Sequence, residues 1–396
     1  MLILCQYETI LLRWAIMNSN LTELPFSPIE DPFKVEHGGF YRRWLSMIDD
    51  LDFLKQVVSS ITSTTEDVWV PIWKKHGKEF ENEGDDFAKK GNQRMARKKY
   101  LQAKTFYSIG RFPDLITDSK KLIHKDCLRA FDKASQWLNP PLKIVNINHK
   151  GKSIRCHMRQ PLKKGKHPAV LVMCGADVFK EDRAWACDLA IENDMVGLVM
   201  DAPGTAENPF PWEPESVSAW MAAIDFLADL PEVDENRIGA FGISRGGYSV
   251  MQLAGSYNNR VKAVVANAGH PLGYKMNKRE LDNYLMARNK RAEYIYGKKD
   301  GPLSFPKWTA EDEEKIYKKW ALSELGILEN INQPILLING KHDYISPVGN
   351  IYFMLEHGPT TGKEARVYSD AGHCAFKYFD HWAPESFQWL KAKLSQ

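Results

Sequence analysis

Cysteine is scarce and unpatterned in this chain of 396 residues. The six stand at 5, 127, 156, 174, 187 and 374, with no C-x-x-C pair and no evenly spaced framework. Neither a disulfide scaffold nor a zinc site is expected, and a reducing, cytoplasmic setting is the simpler reading. An excess of one charge is missing too: 53 basic and 50 acidic side chains leave a formal charge of +3. That balance excludes the clustered basic footprint of a nucleic-acid binder. The densest basic run, Arg94-Met-Ala-Arg97-Lys98-Lys99, falls at helical spacing and reads as a solvated helix face. The opening stretch MLILCQYETILLRWAIM is apolar but broken by Glu8 and Arg13. It lacks a basic leader, a small-residue cleavage site and the roughly 18 uninterrupted apolar residues of a membrane span. Met17 is accordingly an alternative start, and residues 1–16 are expected to contribute nothing to the fold. Internal repeats and low-complexity tracts are absent.

What is present is the balance of a globular protein, 44% hydrophobic and 26% charged, with the length of one large domain and an appendage. Residues 18–39 hold Pro25, Pro28, Pro32 and the pair Gly38-Gly39, so residues 1–39 form an irregular arm. Residues 40–141 read as an all-helical domain. Met95, Ala96, Tyr100, Ala103, Phe106 and Tyr107 make one apolar stripe, with Gly110 placed to end that helix. After Asn139-Pro140-Pro141 the texture changes to short apolar runs: Ile144–Ile147, Ile154–Met158, Ala169–Met173, Val196–Met200, Ile238–Phe241, Val261–Ala266, Ile335–Ile338 and Ala365–Tyr368. Buried runs alternating with helices predict an α/β fold with a mostly parallel central sheet over 142–396. The charged segment 270–331 interrupts the rhythm as a helical insert.

Chemistry enters at Ile238-Gly-Ala-Phe-Gly242-Ile-Ser244-Arg-Gly246-Gly247, a buried strand running into G-x-S-x-G-G before a helix. A strand turning that sharply into a helix forces the serine into a strained backbone and requires small residues on either side. The following helix adds its positive end to a developing oxyanion. Ser244 is the expected nucleophile. A serine hydroxyl needs a base to take its proton, and the base needs an acid to orient it. Asp343 lies just past the strand and glycine turn Ile335–Gly340, and His373 follows the strand Ala365–Tyr368. Both fall beyond carboxyl ends of strands, where open sheets gather their sites. Asp370 and His342 are the competitors. Asp370 stands on the same loop as His373 and more plausibly shapes the turn. One oxyanion N–H is expected from Arg245 and the second from the loop Cys174-Gly-Ala-Asp177, with Ala176 preferred over Gly175 or Asp177. Asp177, Trp212, Phe210 and His270 are candidate pocket residues, although a lone histidine such as His270 is more often structural. Asp201-Ala-Pro-Gly204 reads as a turn.

Residues 40–396 resemble the FrsA-like and 2,6-dihydroxypseudooxynicotine hydrolase-like family of α/β-hydrolases, to which fungal polyketide-shortening hydrolases are related. The resemblance rests on Gly91-Asn92 and Ala103–Phe112 in the helical block. It continues through Cys174-Gly-Ala-Asp177 with Lys180-Glu181, Asp201-Ala-Pro-Gly204, the G-x-S-x-G-G turn and Gly372-His373. It implies a hydrolase whose helical N-terminal domain caps the site, and a choice between ester and carbon–carbon bond cleavage. The sequence departs from it at Cys174 and in the long 270–331 insert. An acyltransferase or cyclase on the same fold is the alternative, and an intact triad argues against a non-catalytic binding protein. The expected partner is a small-molecule substrate, with no cofactor, metal, nucleic acid or membrane; a homodimer is left open.

Overall fold

Four helices come first: α1 (Leu51–Ser59), α2 (Glu66–Lys89), α3 (Gln93–Arg111) and α4 (Asp118–Ser135). The computed structural model describes residues 51–61, 65–112, 114–272, 275–296, 307–343, 345–358 and 362–396. The arm 1–39, the first sixteen residues and the alternative start at Met17 lie outside them. In α3 five of the six stripe residues, Ala96, Tyr100, Ala103, Phe106 and Tyr107, are buried against the neighbouring helices, and Met95 at its start is half-buried. The tyrosines keep their hydroxyls satisfied there, Tyr100 donating to Asp85 at 2.7 Å and Tyr107 to Glu81 at 2.9 Å. The helix ends at Arg111, one residue past Gly110, whose β-carbon would lie 2.4 Å from Ile123 Cδ1. A close helix crossing, invisible to a one-dimensional reading, explains that glycine.

The rest of the chain builds an eight-stranded sheet in the order β1-β2-β4-β3-β5-β6-β7-β8. The strands are β1 (Lys143–His149), β2 (Lys152–Arg159), β3 (His167–Met173), β4 (Val196–Met200), β5 (Val233–Ile243), β6 (Ala263–Asn267), β7 (Ile335–Gly340) and β8 (Lys363–Tyr368). The β1–β2 hairpin joins antiparallel at one edge, and the strands from β4 to β8 pair in parallel. Every expected strand is present. β5 starts five residues earlier than its apolar run, because Val233 pairs with His167 across a register shift and the polar stretch between carries no hydrophobic signal.

Helices cover both faces. α5 (Ala184–Glu192) and α11 (Phe379–Leu394) pack on one side, around Phe241, Trp382 and Phe387. α6 (Val217–Ala228), α7 (Arg245–Ser256) and α10 (Gly349–Glu356) pack on the other, around Trp220 and Met251. The insert supplies α8 (Lys278–Tyr296) and α9 (Ala310–Trp320). The five cysteines among the described residues are buried and free, as their spacing predicts. No helix among the described residues is long and apolar enough to cross a membrane, and no group of potential metal ligands occurs among them.

Candidate active site

β5 ends at Ile243 and α7 begins at Arg245, leaving Ser244 alone in the turn with φ 59° and ψ −117°. A side chain in that region is strained by about 1–3 kcal/mol and persists only where its surroundings impose it. They do so here. A β-carbon on Gly242 would lie 2.1 Å from the Gly246 carbonyl oxygen, and one on Gly246 would lie 2.3 Å from that of Met173. The G-x-S-x-G spacing is therefore a steric requirement of backbone passing over backbone.

The structure brings Ser244, His373 and Asp343 together from three loops. Ser244 Oγ lies 2.9 Å from His373 Nε2, and His373 Nδ1 lies 2.7 Å from Asp343 Oδ2. The other oxygen of Asp343 accepts N–H bonds from Ile345 and Ser346 at 2.8 and 2.9 Å. With both oxygens occupied, the carboxylate cannot turn away from the imidazole. Burial works against charge on His373, but the adjoining Asp343 carboxylate outweighs it and holds the pKa well above the usual histidine value. Such a relay can take a proton from the serine hydroxyl and return it to a leaving group.

Asn267 is a further support that the sequence reading missed. It is fully buried at the end of β6, its carbonyl accepts the Ser244 N–H at 2.8 Å, and its side-chain amide donates to the Cys374 carbonyl at 3.2 Å. It thereby ties the serine loop to the histidine loop. The available signal was a single amide closing an otherwise apolar strand. Cys374 and Ala375, directly after the histidine, have φ of 61° and 48°, so this loop too is held in left-handed backbone.

Of the competitors, Asp370 bonds Lys377 and Tyr378 on its own loop and shapes the turn as expected. The backbone N–H of His342 donates to the Ala371 carbonyl at 3.0 Å, joining the acid loop to the histidine loop. The loop carrying Gly175, Ala176 and Asp177 borders the serine turn: a β-carbon on Gly175 would lie 3.2 Å from the Ile243 carbonyl oxygen and 3.8 Å from Ser244 Cβ. Arg245 opens α7 and sets its guanidinium 4.7 Å from the ring centre of Trp212. Trp212 also stacks on Trp320 of the insert at 4.5 Å and meets Tyr248 edge-on at 6.0 Å. It is half-buried and ties the serine helix to the insert through these rings. Phe210 packs toward the edge hairpin, its ring 5.3 Å from that of His149. His270 follows β6 within electrostatic reach of Asp343 and His373. Burial pulls its pKa down to about 4, so it is neutral there.

The structure also uncovers a buried ionic chain that composition could not show. Lys180, with no exposed surface, donates to Asp201 at 2.8 Å and lies 3.0 Å from Glu181. Asp201 thus closes its turn by anchoring the loop that starts at Cys174. Two residues on, Asp182 accepts from Lys104 at 3.2 Å and Ser108 at 2.7 Å and pairs with Arg111, all on α3. Burial opposes the charge on Asp182, yet Arg111 and Lys104 hold its carboxyl well below the usual range. Arg111 also lies over the ring of Phe179, 3.6 Å from its centre. The helical block is fastened to the loop beside the serine turn.

Comparison with known proteins agrees with this architecture. Residues 207–396 match the prolyl oligopeptidase family. A 2,6-dihydropseudooxynicotine hydrolase from Paenarthrobacter nicotinovorans is 22% identical over 358 residues, covering 88% of this chain and 90% of that protein. Esterase FrsA of Vibrio cholerae is 26% identical over 235 residues, and the match spans only 55% of each chain, about half the length of that relative. The crystal structure of 2,6-dihydroxy-pseudo-oxynicotine hydrolase superposes with a TM-score of 0.70 at 22% identity, over 89% of this chain and 95% of that one. Residues 51–282, more than half of the chain and including the serine turn, match the Esterase FrsA-like family, so the protein is a member of the FrsA-like family of α/β-hydrolases.

Proposed function

We propose that the protein is a serine hydrolase that cleaves an ester, or a carbon–carbon bond next to a carbonyl, through an acyl-enzyme on Ser244. The observation that carries this reading is the hydrogen-bonded chain from Ser244 through His373 to Asp343 at a strained strand-to-helix turn. Ser244 attacks the carbonyl as His373 takes its proton. The backbone N–H groups of Arg245 and Ala176 receive the oxyanion. His373 then protonates the leaving group, and water releases the acyl group by the same route in reverse. Substrate choice rests with the helical block and the insert, which close the open edge of the sheet and exclude water from a reactive intermediate. The substrate is a small molecule, polyketide-like or an aromatic ketone. The carbon–carbon reading draws support from the relative that spans nearly the whole chain. Assay of the full chain with p-nitrophenyl butyrate and with an aryl 1,3-diketone tests the proposal. Turnover of either with accumulation of an acylated Ser244 is expected, and inertness toward both at neutral and mildly alkaline pH would overturn it.

The pH profile follows from the charge of His373. Only the neutral imidazole acts as base, and Asp343 raises its pKa above the usual value of about 6.5. The acid limb of kcat/KM is therefore expected above that pH, with activity falling as His373 protonates. Asp343→Asn removes the raising charge and shifts the limb to lower pH while reducing kcat. A wild-type limb at or below the free-histidine value would contradict the assignment.

A further inference from the structure

Among the residues whose role the hydrolase chemistry leaves unexplained is the basic run on α3. Its first two turns do not simply face solvent. Arg94, Arg97 and Lys98 border a cavity of about 620 Å³ between the helical block and the sheet edge. That is the size range of small-molecule sites. Each wall carries apolar side chains among its polar ones: Leu101, Phe131 and Trp137 from the block, and Trp185 and Val199 from the sheet domain. None of Ser244, His373, Asp343, Ala176 or Trp212 lines it. It opens beside β2 and β4, on the α5 face of the sheet, whereas the serine turn lies at the carboxyl end of β5.

Two kinds of observation mark it as more than a packing gap. Gln102 and His157 line it at 8% and 3% exposure, and Gln102 Oε1 and His157 Nδ1 are buried with no hydrogen-bond partner, as is Arg97 Nε. Buried polar atoms left unmet are costly, and a native fold rarely keeps several along one wall. The wall is also charge-biased, with five cationic side chains against three acids. Asp182 pairs with Lys104 and Asp188 with Arg159, while Glu181 lies 3.0 Å from Lys180 with both its oxygens buried and without a hydrogen-bond partner. All three acids lie on the sheet side, while Arg94 and Arg97 stand on the first turns of α3. His157, stacked 5.1 Å from Phe131, is pulled by burial to a pKa of about 4, so it can donate or accept as a neutral ring.

We propose that this cavity is a second small-molecule site, separate from the serine turn, for an amphipathic organic anion. Its acidic group meets Arg97, its aromatic or aliphatic body lies between Phe131 and Trp185, and a hydrogen-bond donor on that body meets Gln102 Oε1. An acidic group deep in the cavity would face Glu181, so the anion is held at the arginine end and the body points inward.

The probe is 8-anilinonaphthalene-1-sulfonate, titrated into the full chain by fluorescence and then displaced with decanoate and, as the neutral control, decanol. Saturable single-site binding is expected, with decanoate displacing the dye at least tenfold better than decanol. Arg97→Gln should weaken the dye at least tenfold, and Leu101→Trp, which pushes a larger ring from the wall into the space beside Phe131, should weaken it as well. The melting temperature of each variant without ligand reports its fold; if Leu101→Trp does not fold, Arg97→Gln decides alone. Absence of saturable binding, equal displacement by decanol, or dye affinity unchanged by the substitutions would each overturn the proposal. Dye held in the catalytic cleft instead gives that last result.

Discussion

Ser244→Ala is expected to lower kcat for the ester or diketone that the wild type turns over by roughly 10⁴- to 10⁶-fold, with little change in the urea midpoint. The hydroxyl makes one polar contact, 2.9 Å to His373, and is not required to hold the loops in register. Asn267 and the glycines around the turn do that. Two substitutions separate chemistry from strain. Alanine keeps the penalty of φ 59° at position 244, whereas glycine takes that conformation freely. Ser244→Gly should therefore be as inactive as Ser244→Ala yet at least as stable as the wild type. Either variant keeping activity within tenfold of wild type would remove Ser244 from the mechanism.

The largest stability effect is expected at Asp182, far from any bond being broken. Asp182→Ala takes a carboxylate from between Arg111 and Lys104, which are 1% and 3% exposed. Breaking a buried pair by deleting one partner typically costs about 3–5 kcal/mol, because the remaining charge stays buried. The unfolding free energy of the helical block, read from its urea transition, should fall by that order, ahead of the sheet domain. The pH dependence has a definite sign. The folded-state pKa of Asp182 is depressed, so its contribution is complete above the unfolded value of about 3.9 and is lost as pH falls through the folded one. The gap between wild type and variant should narrow below about pH 4. A variant within about 1 kcal/mol of wild type at neutral pH, the scale of an exposed pair, would show that this contact does not fasten the block.

Much of the site was legible because its chemistry has strict local requirements. Gly242, Ser244 and Gly246 must stand at that spacing for one backbone to cross another, and Asp343 and His373 must follow strands whose apolar runs are plain. The supports were not legible. Asn267 looks like any polar residue ending a strand, and only the fold shows that it spans from Ser244 to Cys374. Trp212 and Phe210 were both plausible pocket residues by type and place. Only the fold shows that Trp212 stacks on Trp320 and that Phe210 meets His149. Gly110 reads as a helix stop because that is the commonest local use of glycine near a helix end. The helix does stop one residue on, but the approach of Ile123 gives the glycine a second reason that only the fold shows.

The sequence by itself determined the helical block, the eight strands and the three residues of the relay. Hydrophobic periodicity and backbone sterics are short-range and survive in one dimension. Tertiary structure alone decided which charges meet. Lys180, Asp182 and Arg94 are similar surface-type residues in the sequence, yet one is sealed among acids, one clamps two cations and one stands at a cavity mouth. Burial separates them, because the energy of a charge depends on the dielectric and partners that folding places around it, and neither is a property of its neighbours in the chain.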